Sequence, residues 1–529
     1  MSGILGNISL VSGFTILSRV LGLLRDMLFF ACFGGSYIGG AFVLAFTLPN
    51  LFRRMLGEGT LSSAFIPVFS DTIETKSIAE GLSLLNKVLT RLALGLIGIL
   101  LLGLSLFLLV QSMDLSISPK WRLGVELCSV TLPYVLAICL SALIVGALNA
   151  RKKFAPGASS PIILNFAMIA TLGFGGIVYG LEGEDLALAL CVSVLIGGVL
   201  QLLAPAFSLH RLEGWKYKLD FGRSDELSRI RELFVVGAFG AAVGQVNVLV
   251  SRFLGYSLPD DGAVSMLFLT SRLTELPLGV FAIAIATVVF PEMARLLGQK
   301  DESGFRRAFT KGLRLTLVIT LPAAMGLALL AEPILVTLFQ WGRFGSGEVA
   351  ETVPILVLAS FGLPFYAVAA FYIRGFHARK NMKTPLLAAF LSLVANVVLS
   401  LVLMQHWGVL GLAAANGLAA VFQTLFLVFR WRRESDSIDL ENGESSCLFP
   451  TIVSTVAMCI VVAFGHSGIE RLPDLTNKAS AAISLVVLIP LALAVHFVCL
   501  WVFSFPEVKA ISESIKRRFR SPKGPPEEN

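Results

Sequence analysis

Five arginines stand inside stretches of sequence that are otherwise apolar: Arg19, Arg25, Arg53, Arg54 and Arg272. Near them lie Ser18, Asp26, Asn50, Glu58 and Glu275. A guanidinium group stays charged at any working pH and offers a planar fork of donors that fits a phosphate or carboxylate bidentately. Set against Asp26, Glu58 and Glu275, the five arginines leave the group net positive. Such a surplus in low-dielectric surroundings calls for an anion, and a phosphate or diphosphate is the natural one. The rival role is fastening. Arg54 and Glu58 at i,i+4, and Arg272 and Glu275 at i,i+3, are spaced to pair on one helix face. Pairing of that kind leaves the other arginines unaccounted for.

These residues must be carried by helices. At 100° per residue, Ser18, Arg19, Gly22, Arg25 and Asp26 fall within about 120° of arc, so one face of a helix is polar and the rest apolar. Asn50, Arg53, Arg54, Gly57 and Glu58 cluster in the same way just after Pro49, and Arg272 and Glu275 lie just before Pro277. Prolines at such places free backbone carbonyls that can line a cavity. An arginine at the centre of a bilayer costs about 2.5–3.5 kcal/mol even on the lenient insertion scale, so these side chains face protein or water rather than lipid.

The supporting elements are membrane spans. The chain is 56% hydrophobic and 15% charged, well below the roughly 25% charged content of soluble domains, which excludes a soluble enzyme. Apolar runs long enough to cross the hydrocarbon layer recur throughout. They predict helices near 4–33, 40–70, 88–111, 127–149, 159–181, 186–208, 232–256, 263–294, 315–340, 353–376, 386–405, 408–429, 448–466 and 480–504. The fold class is therefore all-α integral membrane, with about 14 transmembrane helices. A β-barrel would instead alternate in segments of about ten residues. The first run has charged residues within it and no small-residue cleavage site after it, so it is expected to stay attached.

Orientation follows from the basic residues. With the N-terminus cytoplasmic, 31 Lys and Arg fall in the inner loops and five in the outer ones, so both termini are expected in the cytoplasm. The net charge of +7 thus needs no nucleic-acid partner. Two echoes, Phe65-Ile66-Pro67 with Phe290-Pro291 and Ala150-Arg151-Lys152 with Ala378-Arg379-Lys380, lie about 225 residues apart and suggest an internal repeat. The predicted organisation is a six-helix lobe at 1–220, a second at 221–435, two additional helices at 436–505 and a basic tail at 506–529. Six is even, so the lobes enter from the same side, as parallel repeats that enclose a central cavity and rock about it.

Neither the histidines nor the cysteines (Cys32, Cys128, Cys139, Cys191, Cys447, Cys459, Cys499) show metal-ligand spacing, and the cysteines read as small buried hydrophobes. No cofactor or metal is expected.

The run Ser18-Arg19-Val20-Leu21-Gly22-Leu23-Leu24-Arg25-Asp26 resembles the bacterial lipid II flippases, the MurJ/MviN family of the multidrug/oligosaccharidyl-lipid/polysaccharide exporter superfamily. So do Leu48-Pro49-Asn50-Leu51-Phe52-Arg53-Arg54 with Glu58-Gly59, Ser271-Arg272-Leu273 with Glu275, Leu338-Phe339-Gln340 with Gly342 and Phe344, and Lys383-Thr384-Pro385. The resemblance runs in order from residue 10 to about 430. It implies transport of undecaprenyl-diphosphate-linked MurNAc-pentapeptide-GlcNAc from the inner to the outer leaflet of the bacterial inner membrane, for peptidoglycan synthesis. It also implies that Arg19, Arg25, Arg53 and Arg272 are required, and that the last two helices form a groove for the lipid tail. Gly40 departs from an Asp common in the family, and Gln245 and Asn247 stand where some members have a sodium-binding acid. The coupling ion is therefore left open, with the membrane potential as the expected drive and a monomer as the simplest assembly.

Three rivals are weaker. A flippase for another polyprenyl-linked saccharide usually has twelve helices. A drug exporter would want intramembrane carboxylates for cations. A membrane glycosyltransferase would need an acid or His pair on a sizeable outer loop, and the outer loops here are short.

Overall fold

The computed structural model describes residues 2–55, 61–113, 118–279, 283–434, 445–472 and 475–509, and among these there is no strand. The chain forms α1 (Ser2–Phe33), α2 (Tyr37–Phe52), α3 (Leu61–Thr75), α4 (Ile78–Ser112), α5 (Pro119–Thr131), α6 (Tyr134–Ala150), α7 (Ala155–Ala170), α8 (Gly183–Glu213) and α9 (Asp225–Ser257). It continues through α10 (Ala263–Pro277), α11 (Ile283–Gly298), α12 (Glu302–Leu329), α13 (Ala331–Leu338), α14 (Ser346–Ala378), α15 (Lys383–Glu434), α16 (Ser445–Glu470) and α17 (Asn477–Val502).

Nine of the described helical stretches are long and apolar enough to cross a membrane. Several predicted limits are shifted or marked by a break, each for a local reason. Two predicted spans, 386–405 and 408–429, both lie in α15 and are parted at Gly408, whose φ 51°, ψ −126° is non-helical and a conformation that only glycine takes readily. The span predicted at 127–149 starts earlier and breaks between α5 and α6 beside Pro133, whose missing N–H interrupts the ladder. The span at 315–340 is likewise displaced, because α12 begins at Glu302 under an Asp301 cap and ends at Leu329 before the short α13. Within the spans at 40–70 and 263–294 the described backbone turns π-helical at 53–55 and 278–279, after Pro49 and Pro277.

Two compact units result. The first comprises Met1–Phe268 with Phe339–Glu348, and the second Leu269–Leu338 with Val349–Asn529. In the first unit a buried core of Leu85, Val88 and Leu89 from α4, Leu143, Ile144 and Leu148 from α6, and Leu209 from α8 fills the space between those helices. Gln201 of α8 ties three elements together: its carboxamide accepts from the Tyr134 hydroxyl at 3.1 Å and donates to the Ser160 carbonyl at 2.8 Å, and its backbone carbonyl accepts from Ser141 at 2.6 Å. The stretch between α8 and α9 is strapped to α4. Arg91 donates to the carbonyls of Phe221 and Gly222, and the Trp215 indole donates to Asn86. Lys76 then pairs with Glu226 at 2.6 Å.

The core of the second unit is aromatic: Phe305, Phe309, Phe371, Tyr372, Phe376 and Trp431, with Phe309 stacked on Trp431 at 4.2 Å. Arg379 lies over Phe305 and Trp431, at 4.9 and 4.6 Å from their ring centres. The last two helices belong to this unit. Arg314 of α12 is paired with Glu507, and His496 of α17 is bonded to the Val318 carbonyl at 3.1 Å.

The predicted echo between the Arg151 and Arg379 turns extends to the backbone. Lys152 and Lys380 both take left-handed φ, 60° and 61°. The residue after each donates back to a carbonyl five positions earlier, Lys153 to Leu148 and Asn381 to Phe376, both at 2.9 Å.

Candidate functional site: intramembrane arginines in each unit

In the first unit the polar face of α1 divides into a closed half and an open half. Arg25 and Asp26 are buried, 9% and 8% exposed. The Arg25 guanidinium donates to Asp26 Oδ1 from Nε at 3.0 Å and from Nη2 at 2.6 Å, and from Nη1 to Asn165 Oδ1 of α7 at 3.0 Å. Asn165 in turn donates to the Ser18 carbonyl at 3.1 Å. Gly22 faces the same amide, and a Cβ there would make ordinary contact with Asn165 Nδ2 at 3.7 Å. Arg19, one turn away, is exposed and makes no ion pair among the described residues; Ser18 beside it is half-buried. Being exposed at the middle of a helix of 32 residues, Arg19 must meet water or protein in a bilayer.

On α2, Asn50 accepts from Arg53 Nε at 2.8 Å, and Arg53 and Arg54 are both half-buried on the π-helical turn that follows. Glu58 lies outside the described residues. In the second unit, Arg272 Nη1 pairs with Glu275 Oε2 at 3.3 Å, one turn along α10 as the spacing predicts, with side chains 29% and 47% exposed.

Asn165 carries no charge and did not stand out from its sequence, and its partner lies 140 residues away. A lone amide in the apolar run Ile162-Ile163-Leu164-Asn165-Phe166 was the available signal. The Phe339–Phe344 motif also finds its place within the first unit. Phe30 of α1 meets Phe339 and Phe344 edge-on at 5.7 and 5.4 Å, and the Arg343 N–H donates to the Ala31 carbonyl at 2.8 Å. Gly342 has φ +57°, and a Cβ there would collide with that carbonyl, so both conformation and space require glycine. Gly40 is buried on α2, where an added Cβ would meet the Asp261 carbonyl at 3.7 Å. Among the described residues no cluster of His, Cys, Asp or Glu has the form of a metal site.

The chain matches the family model described as "Lipid II flippase MurJ" over residues 29–472. It is 32% identical to a probable lipid II flippase MurJ of Vibrio cholerae over 438 residues, covering 80% of this chain and 81% of the relative. A probable lipid II flippase MurJ of Bdellovibrio bacteriovorus is 29% identical, with 96% of each chain covered. Among solved structures, a lipid II flippase MurJ in an inward closed conformation superposes with a TM-score of 0.77 at 27% identity, covering 93% of this chain and 98% of that one.

Proposed function

This chain belongs to the lipid II flippase MurJ family, and from that premise we propose that it carries undecaprenyl-diphosphate-linked MurNAc-pentapeptide-GlcNAc from the inner to the outer leaflet by alternating access. It is a multi-pass membrane transporter and not an enzyme. The observation that carries the reading is the open arginine on α1. Arg19 is charged, exposed and without an ion pair among the described residues, in a helix whose other faces are apolar.

Arg19, Arg53, Arg54 and Arg272 capture the diphosphate, with Ser18 and Asn50 as neutral donors and Glu58 and Glu275 holding guanidinium groups in place until substrate arrives. Arg25 and Asp26 are engaged with each other and with Asn165, so the Arg25 fork reaches substrate only when that bond set is exchanged. The two six-helix lobes, 1–220 and 221–435, rock about the captured headgroup. The helices in 436–505 hold the polyprenyl tail, and the tail at 506–529 rests on anionic lipid at the cytoplasmic face. The protein acts as a monomer in the bacterial inner membrane with both termini inside. The membrane potential, worth about 2.3 kcal/mol per charge per 100 mV, returns the emptied cationic site inward.

The test is rescue. A bacterium depleted of its own lipid II flippase receives this chain or its Arg272→Ala variant, and lipid II exposed on the outer leaflet is quantified. Restoration by the parent chain and not by an equally expressed variant is the expected result. Failure of both despite correct insertion overturns lipid II as the substrate.

A further inference from the structure

The second unit holds a cavity that the proposed transport does not use. It has a volume of about 390 Å³ and lies between α12, α14 and α15, without lining from α16 or α17. Its floor is apolar and buried: Leu313, Ala324, Val368 and Tyr372 are 6%, 3%, 8% and 3% exposed. Phe361, 51% exposed, stands at the opposite end from Arg432. The lining of α12 runs from Leu313 to Met325, about 18 Å at 1.5 Å per residue, close to the roughly 15 Å of one leaflet's hydrocarbon. The Thr424 hydroxyl is spent on the Phe365 carbonyl at 2.9 Å.

The charge at the mouth is Arg432. It is exposed and makes no ion pair among the described residues, whereas Arg430 beside it pairs with Glu434 at 2.9 Å and Arg433 lies over the Phe429 ring. A groove one leaflet deep, apolar along its length and cationic at one end, has the form of a site for a single acyl chain under an anionic headgroup. We infer that the α12/α14/α15 cavity binds an anionic glycerophospholipid of the surrounding membrane, its phosphate on Arg432 and one acyl chain along α12. This lipid is a resident of the second unit, separate from the transported molecule, and it fills space that side chains fill between α4, α6 and α8 of the first unit.

The full-length protein is reconstituted in phosphatidylcholine vesicles containing a trace of phosphatidylglycerol with a photoreactive acyl chain, irradiated, and digested for mass spectrometry. Label is expected on 313–325 and 361–372, displaced by unlabelled phosphatidylglycerol. Arg432→Glu should lower it about fivefold, the scale of one basic side chain at an anionic surface, while Arg432→Lys keeps it. Leu317→Trp, which fills the groove from α12, should abolish it without altering labelling elsewhere. Three results would overturn the site: equal labelling from a phosphatidylcholine probe, indifference to Arg432→Glu, or displacement by a polyprenyl diphosphate, which would make the cavity a tail path for the transported lipid.

Discussion

Arg25 and Arg272 each have an acidic neighbour on their own helix, yet the two pairs are built for different work. In the first unit the Arg25–Asp26 pair is closed: side chains 10% and 11% exposed, three guanidinium hydrogen bonds, and an amide from another helix completing the set. In the second unit the Arg272–Glu275 pair is more exposed, a contact of 3.3 Å between side chains that are 29% and 47% exposed. A closed pair has its desolvation offset by geometry and resists exchange, whereas an open one can release its arginine to an incoming anion at small cost. Each is an arginine followed on its own helix by a carboxylate, one position on in the first case and three in the second. Burial is what separates the two pairs.

The comparison can be broken at its strongest point first. Asp26→Ala strands a buried guanidinium and should destabilise the protein by about 3–5 kcal/mol, read as a lowered melting temperature and a loss of monodisperse protein in detergent. The double variant Arg25→Met, Asp26→Leu should recover most of that stability. If it also recovers rescue, Arg25 is purely architectural; if stability returns and rescue does not, the Arg25 fork takes part in transport. Next in size, with Arg272 holding the diphosphate as proposed, Arg272→Ala would remove a charge-assisted bond worth about 1.5–3 kcal/mol, and outward lipid II should fall roughly tenfold or more with the melting temperature unchanged.

Glu275→Gln tests the more exposed pair from the other side. It should shift stability by less than about 1 kcal/mol and leave rescue near the parent level, and a collapse of stability would show the pair to be closed in use.

The smallest effect lies outside the membrane spans. The hydrogen bond from Lys76 holds the Glu226 carboxyl down at about 2. A depressed carboxyl contributes stability that is present above its ordinary range and lost as pH falls through the folded value. Melting temperature should therefore drop as pH goes from about 5 towards 2, and Lys76→Ala should flatten that part of the curve.

Much of the site was legible because it depends on local spacing. The polar arc on α1, the arginines after Pro49 and the one-turn separation of Arg272 and Glu275 all follow from helical periodicity, and the last forms as an ion pair. The Asn165 contact was not legible, since it joins residues 140 apart through the packing of α7 on α1. The same holds for Phe30 and its neighbours Phe339 and Phe344, whose helices offer no periodic signal of who their partners are. Helix limits shifted where proline or a cap intervened, at Pro133 and Asp301, because hydropathy measures apolar length and is blind to a missing N–H or a capping carboxylate.

By itself the sequence determined that this is a helical membrane protein with charged residues that lipid cannot accept, because the cost of exposing apolar length to water and charge to hydrocarbon is a property of composition and periodicity. Only the tertiary structure decided which of those charges are neutralised and which are left open. Arg25 is sealed because α7 brings an amide to it, and Arg19, on the same face of the same helix, is not. The apolar groove beside Arg432 is equally a tertiary fact. A void is defined by what three separate helices fail to fill, and no single stretch of sequence records it.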